Sequence, residues 1–172
     1  MVKRCAFYVE DGKIVRRDCY IKWNKGFTKE AKINYIQQIR DNLFKFGRCI
    51  DVTTASPYMT DRSFSPYFTT FGEKTVEQFW LEYKKTLKHD IPGAFDFIYL
   101  NSLTEDQIAY ALTQDGYSDV LFNPENGVNT QAKSLAVLKL LHQQDKYYLL
   151  DDVKRFSDWY KDYCVYVKVK VV

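Results

Sequence analysis

The sequence predicts an α+β fold, mainly α-helical, with a small β element made from an N-terminal hairpin and a C-terminal strand. Three observations predict it. Apolar-rich segments flank a turn dipeptide at the N-terminal end while valines alternate with polar residues at the C-terminal end, apolar residues recur at three- and four-residue spacing between them, and capping residues or turn dipeptides separate the segments. With 172 residues, 46% of them apolar, the chain is long enough for one core and short for two, so a single domain over residues 1–172 is expected. Lys and Arg number 25 against 22 Asp and Glu, with the signs interspersed. That balance excludes charge-driven disorder, and it is compatible with a nucleic-acid partner without requiring one.

Residues Cys5–Val9 and Ile14–Ile21 flank Glu10-Asp11-Gly12-Lys13, and Asp-Gly supplies the positive φ of a tight hairpin turn. Thr28 caps a long helix carrying Ile33, Ile36, Ile39, Leu43 and Phe44, ended by Gly47. Arg48–Thr54 reads as a short strand, and the segment from Ala55 to Pro66 as a long loop, a candidate for function in a small domain. Thr75 caps a helix with Val76, Phe79, Trp80, Tyr83 and Leu87 on one stripe, stopping before Pro92. Gly93–Leu103 is apolar and helical, Thr104-x-x-Gln107 is a capping box for the next helix, and Gly116 closes that helix. Asn123-Pro-Glu-Asn-Gly127 is a turn, with Asn129 as the cap of an apolar helix through Leu141. A helix from about Asp152 to Tyr163 leads into Cys164–Val172, where valines alternate with Tyr166, Lys168 and Lys170. This last strand should have one wet face, whose lysines discourage edge-to-edge association.

Cys5, Cys19, Cys49 and Cys164 are far apart, and His89 and His142 are the only histidines. Neither set has zinc-ligand spacing, so no metal is expected, and the two imidazoles read as helix-end caps. No apolar run approaches the roughly 18 residues of a membrane span, and no signal segment is expected, which favours free thiols in a cytoplasmic protein. Phosphate-loop and nucleophile-elbow motifs are missing from the sequence.

Three clusters could carry chemistry. Glu77 and Lys84 are seven residues apart on one helix, two turns, so both project from nearly the same face, and such a pair beside aromatic rings suits proton transfer to a leaving group. An ordinary solvent-facing Glu and Lys is the plain alternative. Asp119, Asn123, Asn126 and Asn129 gather around one loop that could face a hydroxyl-rich ligand, or could serve turns and caps alone. Arg62-Ser63-Phe64-Ser65-Pro66-Tyr67-Phe68 mixes a cation, hydroxyls and rings that could hold a phosphate and stack a base, or pack upon themselves.

Taken together, these pieces resemble a known family. Thr75-Val-Glu77-Gln-Phe79-Trp80-Leu-Glu-Tyr-Lys84 resembles the Glu-x-x-aromatic-x-x-x-Lys helix of the NADAR (YbiA-like) superfamily, and Phe64-Ser65-Pro-Tyr-Phe68 resembles its Leu-Ser-x-Phe loop. Trp23 and Gly26, Asp96-Phe-Ile-Tyr99-Leu100-Asn101, Tyr117-Ser-Asp119 through Asn123-Pro124, and Val128-Asn129-Thr-Gln131-Ala132 resemble the subgroup paired with DarT toxins. The resemblance runs in order over roughly residues 20 to 142.

It implies a NADAR-like single domain acting as an N-glycosidase that needs no cofactor or metal. Such an enzyme removes ADP-ribose from the exocyclic amine of guanine in single-stranded DNA, as an antitoxin or counter-defence factor. The implied partners are ADP-ribosylated DNA and a DarT-type toxin, with no membrane, and an orphan phage-borne copy fits a chain of this length. Carried onto this sequence, Glu77, Lys84 and Asp119 are the catalytic set. Arg62, Ser65, Phe68, Trp80, Asn123 and Asn129 contact substrate. Where toxin-paired members carry a loop lysine, this chain reads Thr53-Thr54-Ala55-Ser56, so a covalent lysine at that place is not available, and Leu81 and Phe97 replace a glutamine and a tryptophan. Two other readings stay open: a binding module for ADP-ribose, modified DNA or the toxin, and a glycosidase acting on a riboflavin-pathway intermediate.

Overall fold

The computed structural model describes residues 1–22, 28–53, 62–125, 127 and 129–171, for Arg62 the backbone alone. Strands β1 (Val2–Glu10) and β2 (Lys13–Ile21) pair antiparallel. The turn between them puts Asp11 at φ 50° and Gly12 at φ 74°, the two left-handed residues that match a hairpin's right-handed twist. Around this hairpin the sheet is larger than the sequence predicts. Strands β3 (Cys49–Asp51), β6 (Gly116–Ser118) and β7 (Val167–Lys170) join it in the order β3-β6-β1-β2-β7. A second, two-stranded piece, β4 (Thr70–Phe71) and β5 (Lys74–Thr75), lies within the segment leading to α2 (Val76–Thr86).

Side chains of a strand point to opposite faces in turn, and the two faces bury different clusters. On one, Ala6, Tyr8, Cys19 and Ile21 pack on Tyr35, Ile39 and Leu43 of α1 (Lys29–Leu43). The stripe therefore begins at Tyr35, while Ile33 is exposed, and the helix ends at Leu43 with Phe44 as its C-cap rather than at Gly47. On the other face, Cys5, Phe7, Ile14, Ile50 and Tyr117 meet α5 (Gln131–Gln143). This helix is buried almost all round, as its run of Leu, Ala and Val requires. Helices α3 (Ala94–Asn101), α4 (Glu105–Leu112) and α6 (Val153–Tyr163) and a 3-10 turn at Tyr147–Asp151 complete this layer. The four cysteines are free thiols.

Three more expectations are corrected. Gly116 does not close α4, which ends at Leu112; it opens β6, where the ring of Tyr8 and the thiol of Cys49 leave no room for a Cβ. Asn129 is not the cap of α5: the Thr130 hydroxyl accepts from the Ala132 N–H instead. The C-terminal strand lacks a buried face, since β7 pairs parallel with β2 at the sheet edge and leaves Val167 and Val169 exposed along with the lysines.

Helix α2 starts where the sequence puts it. The Thr75 hydroxyl accepts from Gln78 N–H and the Gln78 amide oxygen accepts from Thr75 N–H, both at 3.2 Å. Losing such a cap costs about 1 kcal/mol. Thr75→Ala is expected to lower the unfolding free energy by that amount, read as a lower urea midpoint at unchanged slope, and Thr75→Ser to restore it.

Candidate active site

Strands β3 and β6 are parallel, with Asp51 opposite Ser118, so both chains leave the sheet at the same edge. Residue 119 follows β6 directly, and the chain reaches α5 through residues 120–130. Facing this edge, the N-terminus of α2 is held to the preceding segment by the Glu77 N–H, which donates to the Pro66 carbonyl at 3.0 Å. A cleft of about 350 Å³ lies between them. Glu77, Trp80, Leu81 and Lys84 of α2 form one wall, Asp119, Asn129 and Gln131 the opposite one, with Pro66, Tyr67 and Phe95 completing it. Glu77 and Lys84 share the cleft as two helical turns of spacing require. The Lys84 ammonium sits 5.8 Å from the centroid of the Trp80 ring between them, a cation–π distance.

Behind Asp119 lies a second carboxyl that the sequence does not single out. Asp51 is buried, and its Oδ1 accepts from the Thr53 hydroxyl at 2.6 Å and from the Val120 N–H at 3.2 Å. Its Oδ2 is buried without a partner among the described residues. The Thr53 oxygen accepts from Val120 N–H at 2.8 Å, and its hydroxyl also serves Asp119. One hydroxyl proton satisfies one carboxylate at a time, so two carboxyls around it favour holding an extra proton. Burial pushes Asp51 up to about 7, with the nearby Asp119 adding to the rise. Asp119 is raised as well, chiefly by burial, against donors that include Leu121 N–H at 3.2 Å and the Thr130 hydroxyl at 3.4 Å. The pair titrates as a unit.

Trp80, Lys84, Phe95 and Asn129 also wall a second space of about 470 Å³, which reaches Asp96, Lys133 and Tyr160. Asp96 is buried, accepts from the Ser134 hydroxyl at 2.7 Å and is raised by burial against the pull of Lys133. The Lys133 ammonium donates to the Tyr160 hydroxyl and lies 4.9 and 5.4 Å from the Tyr160 and Tyr166 rings. Gly93 borders this space at φ 77°, and a Cβ there would come within 2.7 Å of the Tyr160 ring, so only glycine fits.

Five of the residues singled out in the sequence, Glu77, Trp80, Lys84, Asp119 and Asn129, therefore meet at one cleft. Ser65, Phe68 and Asn123 do not line it. Ser65 is fully buried, its carbonyl accepting from the N–H groups of Phe68 and Thr69 and its hydroxyl from Tyr67 N–H. Phe68 is exposed off the cleft wall, where Tyr67 stands instead. Asn123 makes a turn, its side-chain oxygen accepting from Glu125 N–H at 3.0 Å. The Arg62 side chain, Trp23, Gly26, Ala55, Ser56 and Asn126 lie outside the described residues. Leu81 lies on the cleft wall, and Phe97 packs on Phe156. Phe95, Gln131 and Lys133 carry no spacing signal, because only the packing of α3 and α5 brings them to α2.

Residues 86–169 match the model of the family described as the DarT1-associated NADAR antitoxin. The chain is NADAR-like. The matched segment contributes Phe95, Asp119, Asn129, Gln131 and Lys133 to the two spaces, while Glu77, Trp80 and Lys84 of this NADAR-like chain precede it. No curated protein matches the chain. Among the described residues no helix is long and apolar enough to cross a membrane.

The buried carboxyl has a measurable signature. Unfolded, Asp51 releases its proton near pH 3.8, and folded near 7, so between these values the folded chain holds the extra proton. Stability then falls as pH rises through that window, by at most about 1.4 kcal/mol per pH unit for one proton. Wild type is expected to show a lower urea midpoint at pH 8 than at pH 5, and Asp51→Asn to flatten that difference. An unchanged slope in the variant would place the titration elsewhere.

Proposed function

We propose that residues 1–172 form one NADAR-like domain acting as an antitoxin against a DarT-type toxin. In this reading it hydrolyses the glycosidic bond between ADP-ribose and the exocyclic amine of guanine in single-stranded DNA. The observation that carries the reading is the meeting of Glu77 and Lys84 from one segment with Asp119 from another on a single cleft, walled by Trp80, Tyr67 and Phe95. The family match over residues 86–169 supports the antitoxin role.

Two carboxyl groups and an ammonium suffice for the chemistry. Asp119, drawing on the proton shared with Asp51, protonates the guanine amine as the bond from the ribosyl anomeric carbon to nitrogen breaks and its electron pair goes to nitrogen. Glu77 faces the positive charge that grows on that carbon and takes a proton from the water whose oxygen forms the new bond. Water and ADP-ribosylated guanine become ADP-ribose and guanine, and the proton taken by Glu77 balances the one given by Asp119. Lys84 holds a phosphate of the ADP-ribose, and Trp80 offers a face to an adenine or guanine ring. No lysine adduct is needed.

The test uses a single-stranded oligonucleotide carrying ADP-ribose on one guanine, followed by mass spectrometry. Wild type is expected to release ADP-ribose, and Glu77→Gln to lower kcat by about 10²- to 10⁴-fold, the usual worth of a positioned acid or base, with folding intact. Binding of ADP-ribose by wild type without product would instead favour a binding module, for which Leu81 on the cleft wall offers an apolar contact.

A further inference from the structure

The proposed substrate is a polymer, and the cleft holds one modified nucleotide of it. A surface outside the cleft has the character to hold the rest. Lys133 borders the second space and lies 5.4 Å from the centroid of the Tyr166 ring. Two and four residues beyond Tyr166 come Lys168 and Lys170, exposed on the edge strand β7. Pairing of Lys170 with Asp18, and of Lys3 with Tyr20, puts Lys168, Lys170, Tyr20 and Lys3 on one face of the sheet. Tyr20 is 46% exposed, and its ring has the Lys3 ammonium at 5.4 Å and the Lys170 ammonium at 5.9 Å. The same face is tied to the cleft's loop, since Lys3 bridges Glu125 at 3.6 Å and Arg16 donates to the Pro124 carbonyl at 3.5 Å.

Carboxylates cancel this charge only in part, through Glu125 beside Lys3 and buried Asp96 near Lys133. Asp18 is occupied by Arg16 through two bonds of 2.7 Å, and among the described residues neither Lys168 nor Lys170 has a carboxylate within 4.0 Å. Ammonium groups spaced along an edge, with an exposed ring between two of them, complement a flexible chain of phosphates and bases. A rigid apolar partner would gain little from them.

We propose that single-stranded nucleic acid leaving the cleft runs over Lys133, Lys168 and Lys170 to Tyr20 and Lys3, with phosphates on the lysines and a base stacked on Tyr20. The proposal rests on the reading of the cleft above for the strand's destination, but its test does not. Fluorescence anisotropy of a short unmodified oligothymidylate is measured against salt for wild type, Lys168→Gln/Lys170→Gln and Tyr20→Ser, and turnover is measured separately on an ADP-ribosylated guanosine nucleoside too small to reach the edge. The lysine pair sits on an exposed edge, so this variant should fold as wild type does.

Removing two ammonium groups from the phosphates should make the slope of log affinity against log salt shallower by about 1.4. Removing the ring should weaken binding by about five- to a hundredfold. Weakened oligonucleotide binding with unchanged nucleoside turnover supports the surface. Binding that is missing in wild type, or equal in wild type and variants, overturns it whatever the turnover. Binding equally strong to vesicles of anionic phospholipid also overturns it, in favour of a membrane surface. Failure of nucleoside turnover with variant-sensitive binding overturns the glycohydrolase reading alone and leaves the nucleic-acid surface standing.

Discussion

Four separated parts of the chain meet at the backbone of Val120. Its N–H is shared by the Asp51 carboxyl and the Thr53 hydroxyl at the end of β3, and its carbonyl accepts from the Tyr35 hydroxyl of α1 and from Arg4 Nε of β1 at 2.7 Å. A buried peptide must find such partners, and here they fix where the chain goes as it leaves β6. β3 and β6 are three residues each, too short to hold register by themselves. The bonds at Val120 extend their pairing past its last residue, as does the Val52 N–H donating to the Ser118 carbonyl at 2.8 Å. Asp119 sits between these anchors, so the sheet fixes its place on the cleft wall across from α2.

Those bonds bring two carboxyls close enough to share one hydroxyl, and the electrostatic consequence follows from burial. Ionising both would put two charges side by side in a poorly solvated place, and the Oδ2 of Asp51 has no donor among the described residues to offset the loss of water. Retaining a proton is the cheaper state near neutrality. In the proposed reaction that proton is the one the leaving group needs, and Glu77, in the first turn of α2, stands on the opposite wall of the cleft. The second space, with Lys133, Tyr160 and buried Asp96, extends the same wall and gives an extended anionic ligand more room than the cleft alone.

What is legible in the sequence is local. Asp11-Gly12 announces the hairpin because few other residues accept two left-handed positions, and the capping boxes at Thr75 and Thr104 fix the starts of α2 and α4. Seven-residue spacing puts Glu77 and Lys84 together because a helix imposes it. Strand β6 is not legible: three residues opening with Gly116 have the look of a helix end, and their partners lie 67 residues away in β3 and about 110 away in β1. Asp51 reads only as the polar half of an alternating strand, since its meaning comes from a parallel neighbour. Hydropathy favours Ile33 over Tyr35, yet a tyrosine whose hydroxyl finds a buried carbonyl anchors a helix as well as an isoleucine does. The valines of β7 alternate as a strand should, but alternation reports a buried face only where something covers it.

The central claim is that a glycosidic bond to ADP-ribose is broken between Glu77 and Asp119. A crystal structure of Glu77→Gln with ADP-ribose tests it most directly. The account predicts the anomeric carbon of the terminal ribose lying between residue 77 and Asp119, with the diphosphate toward Lys84. ADP-ribose seated elsewhere on the molecule, or with that carbon out of reach of both side chains, would contradict it.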